Sequence, residues 1–141
     1  MNRRRFLAAA LALTLLGPAL AGQDREKEKE PDLLTRLKKV KGAFSLTVTI
    51  KVKKGEEKTL IKAFEPAIAA AVEEKGCKRY ELHQDIENPR KFLVIERWDS
   101  VADIEAHLGS GQTKKIIALL EKIADGPLEI VIAKRRVHVK K

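Results

Sequence analysis

The amino-acid sequence predicts a single α+β domain with the element order β-α-β-β-α-β. Apolar and polar residues alternate strictly from residue 44 to residue 53, which is typical of a strand with one buried face. The apolar spacing then changes to that of an amphipathic helix, and further strand and helix patterns follow. Removing the first 21 residues, which resemble an export signal, leaves 120 of the 141 residues, enough for one domain.

Residues 1–21 have the organisation of a secretory signal peptide. A basic cluster at 3–5 precedes an apolar stretch over 6–16, and Pro18 then interrupts it. The stretch is too short for a membrane span, which needs about 20 apolar residues, so cleavage after Ala21 is expected. The paired arginines resemble a twin-arginine signal; an ordinary Sec signal or an uncleaved anchor are the alternatives. The mature protein is therefore expected to be soluble after cleavage and to lie in the periplasm or elsewhere outside the bacterial cytoplasm.

Residues 22–42 are predicted to be a charged tether that contains one short helix. The segment 22–31 is dominated by charged residues, which is typical of a disordered linker. Over 32–40 the apolar residues fall on one side of a helix, and Asp32 is suited to cap it.

The domain itself is predicted over 43–133. The helix after Gly55 places its apolar residues on one buried face, at Leu60, Phe64, Ile68, Ala71 and Val72. Pro66 predicts a kink or a late start of this helix, and Gly76 is expected to end it.

The second half of the domain is predicted from turn and capping signals. Its elements are a strand at 77–85, a turn at 87–89, a strand at 91–98, a helix at 101–108, a helix carrying Ile116, Ile117, Leu120 and Ile123, and a strand at 128–133. Ser100 is expected to cap the first of these helices, and the last strand has an optional extension into Val137 and Val139. This order is the split βαβ arrangement of ferredoxin-like folds.

Two of the predicted strands carry apolar residues on both faces. In the strand at 91–98, Phe92 and Val94 alternate with Leu93 and Ile95. Helices cover only one face of a four-stranded sheet, so the other face needs a second cover. A second copy of the chain is the simplest one, and we expect a homodimer.

Several short motifs occur in order along the domain. They are Lys-x-Gly after the first strand, Phe64-Glu65-Pro66, Glu74-Lys75-Gly76-Cys77, Tyr80-Glu81-Leu82, Asn88-Pro89, Glu96-Arg97-Trp98 and Ala106-His107. Together they resemble the antibiotic biosynthesis monooxygenase family over about residues 43–133. The resemblance implies a ferredoxin-like dimer whose two sheets form an α/β barrel. It also implies oxidation of electron-rich phenols or quinols by O2 with neither metal nor flavin, so no cofactor is expected.

The same resemblance nominates His107 as the candidate catalytic base. It matches the histidine of the family's Ala-His pattern and lies three residues after Ile104, beside the buried stripe of its helix. Such chemistry needs a base to take the substrate proton. A structural histidine at the pocket or the dimer seam is the alternative.

Three further residues are expected in the substrate pocket. Trp98 matches the family's tryptophan and is expected to line the cavity, and Tyr80 is suited to donate a hydrogen bond to a bound anion. Glu96 shares a strand face with Trp98 and needs a partner if buried, for which Arg79 is one choice. Simple core packing is the alternative for both aromatic residues.

The sequence also departs from the family. Gln112 stands where members often carry a second histidine, so a two-histidine site is absent. Asparagine occurs only at positions 2 and 88, so the first-strand asparagine of the haem-degrading relatives is missing and haem degradation is less favoured.

Composition limits the remaining function classes. Cys77 is the sole cysteine, which excludes an intramolecular disulfide, and the three histidines lack the spacing of metal ligands. Residues 134–141 form a basic tail that suits weak contact with an acidic membrane surface, although a solvated tail is the simpler interpretation. Export argues against nucleic acid as a partner. Two hypotheses remain: a monooxygenase acting on a small aromatic substrate, and a non-catalytic dimeric ligand-binding or stress-associated protein of the same fold.

Overall fold

The computed structural model describes residues 32–140, which contain one four-stranded antiparallel sheet with helices on one face. The elements are α1 (Leu33–Leu37), β1 (Phe44–Lys51), α2 (Glu57–Ala71), β2 (Cys77–Gln84), β3 (Lys91–Trp98), α3 (Val101–Gly109), α4 (Gly111–Ile123) and β4 (Glu129–Ala133). The strand order is β2-β3-β1-β4. This arrangement confirms the predicted α+β, ferredoxin-like fold.

The strand β1 lies at the centre of the sheet and pairs with both β3 and β4. Its alternating sequence directs Phe44, Leu46 and Ile50 to the inner face, where all three are buried. The register places Phe44 opposite Trp98 and Leu46 opposite Glu96. The inner face of the sheet and the apolar sides of the helices together form the hydrophobic core.

The helix α2 packs against this face through a stripe of buried residues, Leu60, Phe64, Ala67 and Ala71. It begins at Glu57 and includes Pro66, so the predicted alternative of a late start is wrong. Val72 lies beyond the last helical residue and is 47 % exposed, contrary to its predicted place on the buried face. Gly76 does not end the helix; it adopts a φ of +76° in the turn that leads into β2.

The predicted break between the last two helices is confirmed at Ser110. The Ser110 amide donates to the carbonyl of His107 at the end of α3, at 3.0 Å. Its side-chain oxygen accepts from the amide of Thr113 in the first turn of α4, at 3.2 Å. Ser100 caps α3 in the same way, accepting from the amide of Asp103 at 3.2 Å, as predicted.

The outer face of the sheet is partly apolar, as the alternation in β3 and β4 predicts. Leu93 and Ile95 are half-buried on the inner strand β3, and Val131 on the edge strand β4 is 58 % exposed. The homodimer itself stays a prediction.

The ends of the described chain are shorter than predicted. Asp32 caps α1 by accepting from the amide of Thr35 at 3.0 Å, but the helix covers five residues rather than the predicted 32–40. The proposed extension of the last strand is wrong, because Val137 and Val139 are about 80 % exposed and lie outside β4. The predicted signal and the segment 22–31 lie outside the described residues. Between residues 32 and 140, no helix combines the length and apolar character required to cross a membrane.

Candidate active site

A cavity of about 170 Å³ lies between the inner face of the sheet and the helices α3 and α4. Aliphatic side chains form most of its wall, among them Leu33, Leu46, Val48, Ile50, Leu128 and Ile130. Four polar residues also reach the wall: Tyr80, Glu96, His107 and Thr113. All four are more than nine-tenths buried, so the polar groups of the pocket lie together on its buried side.

His107 lies on α3 and connects the cavity to a carboxylate. Its Nδ1 is 2.7 Å from Oε2 of Glu74, which follows α2 and is about one-quarter exposed. An ionised carboxylate only accepts hydrogen bonds, so Nδ1 carries the proton of this pair. In the neutral ring, Nε2 is then the acceptor, and the Thr113 hydroxyl lies 3.1 Å from it. The glutamate therefore fixes both the tautomer and the orientation of the imidazole.

The Thr113 hydroxyl is held in turn by the helix junction. The Ser110 hydroxyl donates to it at 3.0 Å, which leaves the Thr113 proton free to be donated to His107. A continuous chain of hydrogen bonds thus runs from Ser110 through Thr113 and His107 to Glu74.

Two aromatic rings pack against the imidazole. The ring centroid of Tyr80 is 5.1 Å away at an interplanar angle of 55°, and that of Trp98 is 4.8 Å away at 43°. Burial and the neighbouring carboxylate of Glu96 raise the pKa of the Tyr80 phenol, so this hydroxyl stays protonated and able to donate. Trp98 is fully buried and lies behind His107 and Glu96 rather than on the cavity wall, where it was expected.

Glu96 is a buried carboxyl whose hydrogen-bond partner is an indole. The indole Nε1 of Trp98 donates to its Oε2 at 2.8 Å. Burial raises the pKa of Glu96 to about 7. The hydrogen bond from Trp98 lowers this pKa, and the negative charge of Glu74 raises it by a smaller amount. Both the acid and the carboxylate are therefore accessible near neutral pH.

The suggested pairing of Glu96 with Arg79 is wrong. Arg79 is exposed, and its Nη2 donates to Oε2 of Glu81 at 2.7 Å. Within β2 the alternation turns Tyr80 inward opposite Glu96, and Arg79 consequently faces away from the cavity.

Sequence reasoning missed two members of this site. Glu74 lies 33 residues from His107, and no local pattern connects them. Thr113 had a signal in the Ser-x-x-Thr spacing of a helix start, which places its side chain beside Ser110. Gln112, the position that the family often fills with histidine, is half-buried but is not on the cavity wall.

The remaining nucleophile and metal candidates lie elsewhere or do not form. The Cys77 thiol contacts the carbonyl of Arg79 at 3.7 Å, and burial raises its pKa, so it is a weakly reactive packing residue. Among residues 32–140 no group of three or more histidine, cysteine or acidic side chains is arranged to hold a metal ion.

The fold and the cavity together define a class: a ferredoxin-like α+β domain that contains a small, mostly apolar pocket with a polar region. Within that class, the chain belongs to the antibiotic biosynthesis monooxygenase family, whose model matches residues 43–119.

Solved structures agree with this assignment. A conserved protein from Methanosarcina mazei Go1 is 25% identical with a TM-score of 0.63, over 67% of this chain and 94% of its own. A protein from Pseudomonas aeruginosa is 25% identical with a TM-score of 0.64, over 69% of this chain and 97% of its own. A Nitrosomonas europaea protein described as a candidate antibiotic biosynthesis monooxygenase shares the fold at 19% identity and a TM-score of 0.62, over 66% and 90% of the two chains. The sequence has no match among curated proteins.

Proposed function

We propose that the protein is an exported, cofactor-independent monooxygenase that oxidises a single-ring phenol or quinol with O2. The observation that carries the proposal is the largely apolar pocket in which a buried histidine is oriented by a glutamate, His107 by Glu74. Family membership supports the reaction class. The substrate and the export route come from the sequence resemblance.

The size of the cavity favours a substrate with one aromatic ring. An engineered apolar cavity of about 150 Å³ in another protein binds benzene, and the cavity here is of similar volume, about 170 Å³. A haem macrocycle is several times larger, which agrees with the absence of a first-strand asparagine in disfavouring haem degradation.

The first chemical step is removal of the substrate proton. The O–H bond of the phenol breaks as an N–H bond forms at Nε2 of His107, after the Thr113 hydroxyl rotates aside, and the negative charge of Glu74 stabilises the resulting imidazolium. The Tyr80 hydroxyl, which stays protonated, then donates a hydrogen bond to the phenolate.

The electron-rich anion reacts with O2, which is the only oxidant required. With a quinol, one oxygen atom enters the ring as a hydroxyl group, the other leaves as water, and the ring is oxidised to the quinone. With a phenol, the entering oxygen becomes the second carbonyl of the quinone and the other oxygen again leaves as water. Electrons and atoms balance without a metal or an organic cofactor.

Oxygen uptake by purified mature protein tests the proposal. A panel of hydroquinones should be consumed faster than by solution autoxidation, and His107→Ala should remove most of that rate. His138→Ala is the matched control, because this histidine lies in the exposed tail, outside the cavity. Equal rates in the wild type and in buffer would refute the monooxygenase function.

A second function is favoured by one specific observation. Both ring nitrogens of His107 already have partners, Glu74 and Thr113, which suits a structural histidine in a non-catalytic ligand-binding protein. Binding of phenols without any oxygen uptake above buffer would favour this alternative.

We further propose that two copies pair through the outer faces of their sheets. Leu93 and Ile95 lie half-buried there, and the Nη1 atom of Arg97 on the same face is buried without a hydrogen-bond partner in the described chain. A second copy would cover the apolar residues and offer an acceptor to Arg97. Sedimentation at micromolar concentration should give a dimer, and a clean monomer would contradict this pairing.

The proposed export rests on residues 1–21 alone. A reporter fused to this segment should reach the periplasm only in cells with a working twin-arginine translocase. Export in cells that lack the translocase would indicate the Sec route instead.

A further inference from the structure

The short helix α1 forms part of the cavity wall although it precedes the residues that match the family. The family match begins at residue 43, whereas α1 covers Leu33–Leu37. The side chain of Leu33 lies on the cavity wall, and Leu37 is fully buried in the core. A segment outside the matched region thus contributes directly to the pocket.

The helix is fixed to the far edge of the sheet. Nη2 of Arg36 donates to the carbonyl of Ile130 in β4 at 2.7 Å, and Nζ of Lys134 donates to the carbonyl of Lys41 at 3.1 Å. Ile130 also lines the cavity, as Leu33 does. The first bond attaches α1 to β4, and the second joins the segments that follow the two elements.

The strand order places α1 away from the polar residues. Tyr80 lies on β2 and Ile130 on β4, which are the two opposite edges of the sheet. Three strand spacings of about 4.8 Å separate these two strands, so the polar Tyr80 and the aliphatic Ile130 line opposite sides of the cavity. A phenol whose hydroxyl meets Glu96 and Tyr80 directs its opposite end toward Leu33 and Ile130.

We propose that α1 sets the substrate length through Leu33, and that the substrate is a phenol or quinol ring with a short alkyl substituent. This inference rests on the proposed function for its substrate ring. The aliphatic wall accepts the substituent, and each methylene group that becomes buried strengthens binding about fourfold. Leu33 ends this gain, because a longer chain meets its side chain.

Binding of para-alkylphenols of increasing chain length, measured by calorimetry without oxygen, tests the inference. In the wild type, affinity should rise with chain length and then fall at a cut-off. Leu33→Ala should move the cut-off to longer chains and tighten the first excluded phenol by about fourfold or more. Leu33→Trp should move the cut-off to shorter chains, which keeps the test valid if the alanine variant folds poorly.

Leu34→Ala is the matched control, because Leu34 lies on the same helix but is 44 % exposed and is not on the cavity wall. Its affinity profile should equal that of the wild type. Identical profiles in all the Leu33 variants, or no binding of any alkylphenol to the wild type, would overturn the inference. A movable cut-off without oxygen uptake would refute only the proposed oxidation, and oxygen uptake with a fixed cut-off would refute only the role of Leu33.

Discussion

Replacing Glu96 with glutamine removes a carboxyl group whose ionisation opposes folding. Burial raises the pKa of Glu96 from 4.5 to about 7 in the native protein. Since each pKa unit corresponds to 1.36 kcal/mol, the charged form costs about 3 kcal/mol of stability above pH 7. The side chain is only 6 % exposed, so solvent screens this cost little. Glutamine keeps an oxygen that accepts the hydrogen bond from Trp98.

The direction in which stability changes with pH follows from the raised pKa of Glu96. Below pH 4.5 both folded and unfolded chains hold the proton, and the carboxyl carries no penalty. Between pH 4.5 and about 7 only the native state stays protonated, so the contribution of this group to stability declines as pH rises, and the loss is complete above pH 7. The free energy of unfolding of Glu96→Gln should therefore increase relative to that of the wild type as pH rises, by about 3 kcal/mol in total.

Urea unfolding at pH 5, 6, 7 and 8 measures this difference. Glu87→Gln in the exposed turn between β2 and β3 is the control, and its stability should follow the wild type at every pH. If the curves of Glu96→Gln and the wild type run parallel across this range, the carboxyl is not buried as a titrating group and the reasoning fails.

Four other predictions concern the turn before β2, the cap of α3, the candidate site and the outer face of the sheet. Gly76→Ala should destabilise the fold by about 2 kcal/mol or more, because its φ is positive and the new methyl group would collide with Asp103; Gly55→Ala, also at positive φ but in open space, should cost less in the same urea titration. Ser100→Ala should lower the free energy of unfolding by about 1 kcal/mol through loss of the cap of α3. Glu74→Gln should slow oxygen uptake about tenfold or more by removing the charge that stabilises a protonated His107, and Glu74→Asp should recover part of the rate. Val131→Glu should shift sedimentation toward monomer by placing a charge on the proposed dimer face, and an unchanged dimer would exclude that face.

Local patterns were sufficient for most of the fold. The alternation over β1 and the turn residues before β3 predicted both strands closely, because period-two burial depends only on neighbouring residues. Ser100 likewise predicted the start of α3, since a cap acts within three residues. The errors at Val72 and Gly76 arose where a helix ended earlier than its apolar spacing implied.

The candidate site was less accessible to sequence reasoning. His107, Tyr80 and Glu96 were nominated and do converge on one cavity. The contact between His107 and Glu74 joins two elements across the fold, and only the packing of the turn after α2 against α3 brings them together. The choice of partner for Glu96 depended on which side of β2 Arg79 occupies, which a shifted register near Cys77 further obscures.

Ser110, which lies between α3 and α4, has two structural roles. Its hydroxyl group caps α4 and also donates a hydrogen bond to the Thr113 hydroxyl, which contacts the buried imidazole of His107. A substitution at Ser110 would therefore affect both the start of α4 and the hydrogen bonding of the Thr113 hydroxyl in the pocket. Efforts to reshape the pocket are better aimed at the aliphatic side, where substitutions leave that shared support intact.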